Sequence, residues 1–140
     1  MKVGIINGPN LNMLGVREPG VYGYLSLDSI IENIRGEFKN IEIHDFQSND
    51  EGEIISKVQD WGISLDALVI NPGGYAHTSV AIRDAIASVT LPVIEVHISN
   101  IHSREEFRHT TITGGACKAV ISGLGAEGYS FALQHLVGSN

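Results

Sequence analysis

The chain has 140 residues, which fits one domain spanning 1–140 with enough length to bury a core without disulfides. Nine Lys+Arg against sixteen Asp+Glu leave a net charge of −7. That argues against a nucleic-acid binder, which needs a dominant basic face, but allows a small anion held by a few focused Arg and His. Hydrophobic residues at 43% and charged residues at 18% indicate a globular chain rather than a disordered one. A lone cysteine, Cys117, excludes a disulfide framework and a Cys-based zinc site, and fits a reducing, cytoplasmic compartment. The apolar run that follows Met1 is too short for a signal peptide and is broken by Gly8-Pro9; no stretch approaches the ~20 apolar residues of a membrane span.

Strands and helices alternate along the chain. Val3 to Ile6 reads as a short buried strand. After a long loop, Leu27, Ile30, Ile31, Ile34 and Phe38 recur at helical spacing, with Ser26 as the N-cap. Ile41 to Phe46 alternates as a second strand. Asp50 and Glu53 form a start signal for a helix carrying Ile54, Ile55, Val58 and Trp61, which Gly62 is expected to end. Ala67 to Ile70 is a third buried strand, and a helix follows from about Thr78 through Ala87. Pro92 to Val96 is a fourth strand, Ser103 to Glu106 fits a capping box for a short helix, and Ala119 to Ser122 is a fifth strand. Tyr129 to Val137 is the last helix, opened by the turn residues Gly123, Gly125 and Gly128.

Short apolar strands separated by helices predict a parallel sheet covered on both faces, an α/β class. Right-handed crossovers make it a doubly wound, five-stranded, flavodoxin-like three-layer sandwich in strand order 2-1-3-4-5. Ligands bind such sheets beyond the carboxyl ends of the strands, near the switch point between strands 1 and 3. This rule selects three loops: Asn7–Tyr24, Asn71–His77 and His97–His102.

The first loop is eighteen residues without clear periodicity, a length usual for lids or for disordered segments. Arg17 and Tyr22 stand on it. A tyrosine is a poor base at neutral pH unless a nearby cation favours its phenolate, so Arg17 with Tyr22 is either a base and its activator or a solvated arginine and a packing tyrosine. The second loop offers backbone N–H groups at a helix start, with Asn71 and His77 as neutral donors and acceptors; an ordinary strand-to-helix turn has the same composition. In the third, Glu95 and His97 point to one face of a strand. A carboxylate beside an imidazole fixes the ring's tautomer and stabilises its protonated form, as a general acid requires. A glutamate in an apolar buried strand is costly unless paired, so this pair is the strongest signal in the sequence, whether catalytic or a structural ion pair.

His97 and His102 could instead ligate a metal, although no third ligand stands at a diagnostic spacing. Arg108 could reach back to the site, whereas Arg83 and Asp84 read as a solvated helix face. Nothing marks Cys117 as a nucleophile, and His44, His109 and His135 look incidental. No nucleotide or flavin loop follows strand 1, and Asn71 stands where a phospho-acceptor receiver domain needs Asp, so no cofactor and no metal is expected. The inventory is one for acid–base chemistry on a small polar molecule.

These segments, taken together and in order, resemble the type II 3-dehydroquinate dehydratases over essentially the whole chain. They are Asn7-Gly8-Pro9-Asn10-Leu11-Asn12 with Leu14-Gly15, Arg17-Glu18-Pro19 and Tyr22-Gly23; Gln47-Ser48-Asn49 with Glu51-Gly52-Glu53; Asn71-Pro72-Gly73 with His77-Thr78-Ser79; Glu95-Val96-His97-Ile98-Ser99-Asn100; Arg104-Glu105-Glu106-Phe107-Arg108; and Gly123-Leu124-Gly125 with Gly128-Tyr129.

The resemblance implies reversible trans-dehydration of 3-dehydroquinate to 3-dehydroshikimate through an enolate, in the shikimate route to aromatic amino acids, without metal, nucleotide or Schiff-base lysine. It implies that Tyr22, as phenolate beside Arg17, removes a C2 proton, and that Asn10 helps hold the water or groups that stabilise the enolate oxygen. His97, oriented by Glu95, protonates the departing C1 hydroxyl. Ile98 and Ser99 bind the substrate carboxylate, and Asn71, His77 and Arg108 hold the ring hydroxyls. Tyr24 also follows the loop, but the Pro-x-x-Tyr-Gly pattern from Pro19 to Gly23 favours Tyr22. The family assembles as a homododecamer, a tetramer of trimers, in which an aspartate at the place of Asp84 reaches a neighbour's site.

Overall fold

The computed structural model describes residues 1–16 and 25–139. Five parallel strands form one sheet: β1 (Lys2–Asn7), β2 (Glu42–Gln47), β3 (Ala67–Asn71), β4 (Val93–His97) and β5 (Ala119–Ser122). Their spatial order is β2-β1-β3-β4-β5, the order expected from right-handed crossovers on both sides of β1. The helices are α1 (Leu27–Glu37), α2 (Glu51–Ser64), α3 (Val80–Ser88) and α4 (Glu127–Gly138).

The two faces follow from the period-2 alternation of side chains. Val3, Ile5, Val69, Ile94 and Val96 pack with Ile30, Ile31 and Ile34 of α1 and Tyr129, Leu133 and Leu136 of α4. Ile6, Leu68, Ile70 and Val93 pack with Ile54 and Val58 of α2 and Ile82 and Ile86 of α3. Glu95 and His97 share the register of Val93 and therefore lie on the α2/α3 side.

Helix starts are set by the expected side chains. The Ser26 hydroxyl accepts from the Ser29 N–H at 3.1 Å, and Asp50 Oδ1 accepts from the Glu53 N–H at 2.9 Å. α3 begins at Val80, not at Thr78, because Ser79 is its cap and accepts from the Ile82 N–H at 2.9 Å. Ser79 in turn donates to Glu51 Oε2 at 2.5 Å, which joins the starts of α2 and α3.

Four further expectations are corrected. Gly62 does not end its helix; α2 continues to Ser64, and a Cβ at Gly62 would collide with Val89 at the end of α3. Ser103 caps no helix: its hydroxyl donates to the Asn100 carbonyl, and the segment forms two short 3₁₀ turns, Ile101–Ser103 and Glu106–Arg108. β5 is an edge strand whose Ala119 and Val120 are exposed, so the sheet is not covered on both faces at this edge of the isolated chain. The last helix starts at Glu127, ahead of Tyr129.

Candidate active site

The carboxyl ends of β1, β3 and β4 open into a cleft of about 100 Å³. Asn10, Asn71, His77, His97, Ile98, Ser99 and Arg108 all line it, together with Gly73, Gly74 and Arg104. Residues from three separate loops therefore converge where the switch-point rule places a ligand. Glu95 lies directly behind His97. Asp84 is exposed on α3 and is not among the residues lining this chain's cleft. Arg17 and Tyr22, and Tyr24 with them, lie outside the described residues.

Glu95 is fully buried and His97 is 6% exposed. Glu95 Oε2 stands 2.8 Å from His97 Nε2, and as a carboxylate can only accept, Nε2 carries the hydrogen. That leaves Nδ1 as the ring nitrogen free to exchange a proton. Glu95 also accepts from the Thr111 hydroxyl at 2.5 Å and from the Thr113 hydroxyl. Burial alone raises a carboxyl's pKa, but the bonds from His97, Thr111 and Thr113 outweigh it and hold Glu95 below its ordinary value.

His77 stacks on His97 with ring centroids 6.0 Å apart. Its Nδ1 donates to the Thr110 carbonyl at 2.9 Å, leaving Nε2 as an acceptor when the ring is neutral. Burial, with the nearby His97 and Arg108, lowers its pKa despite the Thr110 bond and Glu95. His77 thus favours the neutral form, suited to accepting from a hydroxyl.

Asn10 has a left-handed backbone, φ 71°, the one such non-glycine conformation among the described residues. Asn tolerates this region better than most residues. Its N–H donates to Asn49 Oδ1 at 3.0 Å, and Gln47 Nε2 donates to that same oxygen and to the Gly8 carbonyl, both at 3.1 Å. The end of β2 thereby fixes the turn that presents Asn10. Asn71 is held on both ends of its amide: Oδ1 accepts from the Gly73 N–H at 3.1 Å, and Nδ2 donates to the Tyr129 hydroxyl at 3.0 Å.

The family profile described as Dehydroquinase class II matches residues 1–137. The chain belongs to the class II dehydroquinase family. A relative called 3-dehydroquinate dehydratase in Lachnoclostridium phytofermentans is 49% identical, the match covering 100% of this chain and 99% of that one. Another of the same name, in Halothermothrix orenii, is 52% identical over 97% of this chain and 93% of its own. The crystal structure of type II dehydroquinase from Butyrivibrio crossotus superposes with a TM-score of 0.95 at 48% identity, covering 98% of this chain and 97% of that one.

This dehydroquinase-family cleft also takes in Arg104, a charged candidate to which the sequence assigned no role. Arg104 lines it, with Nη1 3.4 Å from the Ser99 hydroxyl, while Arg108 Nε donates to Glu105 at 3.0 Å. Two cations thus flank Ser99 and His77 in a chain of net negative charge. Arg83 is half-buried rather than part of a fully solvated face: its Nη1 donates to the Ile112 carbonyl at 2.7 Å. His102 packs against His109, ring centroids 5.8 Å apart, and does not line the cleft. Among the described residues, no three His, Cys, Asp or Glu side chains are gathered to hold a metal ion. Burial and Glu95 push the Cys117 thiol up to about 12, far from a reactive thiolate. No helix of the described residues is long and apolar enough to cross a membrane.

Proposed function

We propose that the chain is a 3-dehydroquinate dehydratase of type II, a hydro-lyase that removes water from 3-dehydroquinate to give 3-dehydroshikimate. The observation that carries the reading is the buried Glu95–His97 pair at 2.8 Å, opening on a cleft lined by Asn10, Asn71, His77, Ser99 and Arg108 in a chain of this family.

The residues divide the reaction into two proton transfers. Tyr22, as phenolate assisted by Arg17, takes the C2 proton, and the electron pair moves onto the carbonyl to form an enolate. Asn10 stabilises that oxygen. When the enolate collapses, the C1 hydroxyl leaves as water with a proton from His97, whose tautomer Glu95 sets. Ser99 and the Ile98 backbone hold the substrate carboxylate, with Arg108, Asn71 and His77 on the ring hydroxyls. Every step is acid–base, so neither metal nor cofactor is required.

The working unit is a homododecamer, a tetramer of trimers, in the cytoplasm. Each 140-residue chain is one domain, with Asp84 of a neighbour completing the site. The exposed position of Asp84 on α3, and the exposed apolar Val80 and Val120, support such contacts.

Purified protein incubated with 3-dehydroquinate should produce the ultraviolet absorbance of a conjugated enone, unaffected by exhaustive chelation. Borohydride with substrate should leave activity intact, since no lysine Schiff base forms. No absorbance change with authentic substrate would overturn the assignment. Tyr22→Phe should abolish turnover in a folded chain, and light scattering should give the mass of twelve copies.

A further inference from the structure

Glu95 is satisfied from a distant part of the chain. Its Oε2 accepts from His97 and from the Thr111 hydroxyl at 2.5 Å; its Oε1 accepts from the Thr113 hydroxyl. Thr113 is itself fully buried, and both threonines lie just before β5, neither of them lining the cleft. Thr111 is oriented as a donor because its oxygen already accepts from the Gly114 N–H at 3.1 Å. The segment is pinned from two sides: the Ile112 carbonyl accepts from Arg83 of α3, and the Ile112 N–H donates to the Ala76 carbonyl, each at 2.7 Å.

We infer that Thr111 and Thr113 are positioning residues for the proton transfer at His97, acting through Glu95. The inference rests on the proposed dehydratase reading for its kinetic arm alone. A carboxylate in an apolar strand has two ways to lower its free energy: collect donors or take up a proton. With three donors and no acceptor demand left over, Glu95 stays an anion, and an anion can only receive the Nε2 hydrogen of His97. Protonated, it could donate to that nitrogen instead, reversing the tautomer and removing the proton-transfer role of Nδ1. The threonines therefore decide which nitrogen of His97 carries the hydrogen, and so whether Nδ1 is free to take up and deliver a proton. Among the described residues, the other charged or titratable groups around Glu95 are His97 itself, His77 stacked on it, Arg83 from α3 and Cys117 of the following turn.

Thr113→Val tests this, with Thr113→Ser as the conservative rescue and Thr111→Val as a second site. The variant should fold, lower kcat at least about tenfold with KM within about threefold, and move the acid limb of the pH profile toward neutral by about one unit. Thr113→Ser should restore both. Nitrogen-15 NMR of the substrate-free chain gives a readout independent of turnover: the His97 Nε2 proton, present in the parent chain, should be lost or shifted in Thr113→Val. A folded Thr113→Val with unchanged kcat, acid limb and His97 nitrogen shifts would overturn the inference, as would a Ser variant no better than Val. Should Thr113→Val fail to fold, Thr111→Val decides alone, and an unmoved acid limb and unmoved His97 shifts would overturn it. If the parent chain fails to turn over 3-dehydroquinate while the NMR effect is seen, the dehydratase reading falls and the positioning inference stands.

Discussion

Tyr129 donates its phenolic hydrogen to Asn7 Oδ1 at 2.5 Å, joining the start of α4 to the end of β1 across 122 positions of sequence. The Tyr129 hydroxyl oxygen in turn accepts from Asn71 Nδ2, at the end of β3, at 3.0 Å. One hydroxyl therefore ties together the two strands that flank the switch point, and holds the amide that lines the cleft. The phenol is fully buried, and burial pushes its pKa well up, so it serves as a neutral donor and acceptor rather than as a base.

Tyr129→Phe keeps the ring's packing but strands two buried amides. Leaving buried polar groups without partners costs roughly 1–3 kcal/mol, well above the modest net value of a satisfied bond. The urea midpoint should fall accordingly with an unchanged slope. The freed Asn71 amide should also weaken substrate binding, raising KM more than it lowers kcat. A variant as stable as the parent, with unchanged KM, would contradict the linkage.

Asn10 separates backbone need from side-chain need. Its left-handed φ favours Gly as much as Asn, so Asn10→Gly should leave stability within about 1 kcal/mol while turnover collapses with the amide gone. Asn10→Ala should lose both, because alanine is strained in that conformation. Denaturant melts alongside the enone assay distinguish the two, and equal stability of the Gly and Ala variants would remove the backbone part of the argument.

How far the sequence could be read follows the range of each interaction. The strand runs at Val3, Ala67 and Val93, and the caps at Ser26 and Asp50, depend on neighbours a few positions away, and they stand as read. The strand-end rule selected the loops whose Asn71, His77 and His97 line one cleft, because topology alone brings those loops together, while Asn10 in the first loop was implied by the family resemblance. What escaped depends on partners far along the chain. The solvated reading of Arg83 fails because a carbonyl at Ile112 receives it. Thr113 and Tyr129 carry no local signal, and their partners Glu95 and Asn7 are strands away. The threonine-rich Thr110-Thr111-Ile112-Thr113, entering a glycine turn ahead of a strand, was the one available hint.

Gly62 illustrates the same limit and yields a stability prediction. Glycine inside a helix costs about 1 kcal/mol relative to alanine, so propensity alone makes Gly62→Ala stabilising. A Cβ there meets Val89 Cγ1 at the packed junction of α2 and α3, and forced overpacking costs roughly 1–3 kcal/mol. Packing wins, and Gly62→Ala should lower the urea midpoint, whereas Gly36→Ala on α1, where nothing lies within 4 Å, should raise it. Both substitutions moving the midpoint upward would show that α2 can shift to admit a methyl group.

Acid should destabilise the fold in two stages. His77 titrates below its ordinary 6.5 when folded, so in the unfolded chain it binds protons first as pH falls. Its stability contribution is complete above about 6.5 and is lost as pH falls toward the lowered folded value. Glu95 follows the carboxylate rule: its folded pKa lies below the ordinary 4.5, so its contribution is complete above that value and disappears as pH falls through the folded one. Between about pH 7 and pH 5 the first effect acts and the second does not. His77→Gln should therefore flatten the fall in stability over that window relative to the parent chain, and leave the steeper loss at lower pH in place. Urea midpoints measured at half-unit steps provide the comparison, in which titrations common to both chains cancel. A variant whose midpoint falls as steeply as the parent's over that window would show that His77 is not the group that loosens the fold in mild acid.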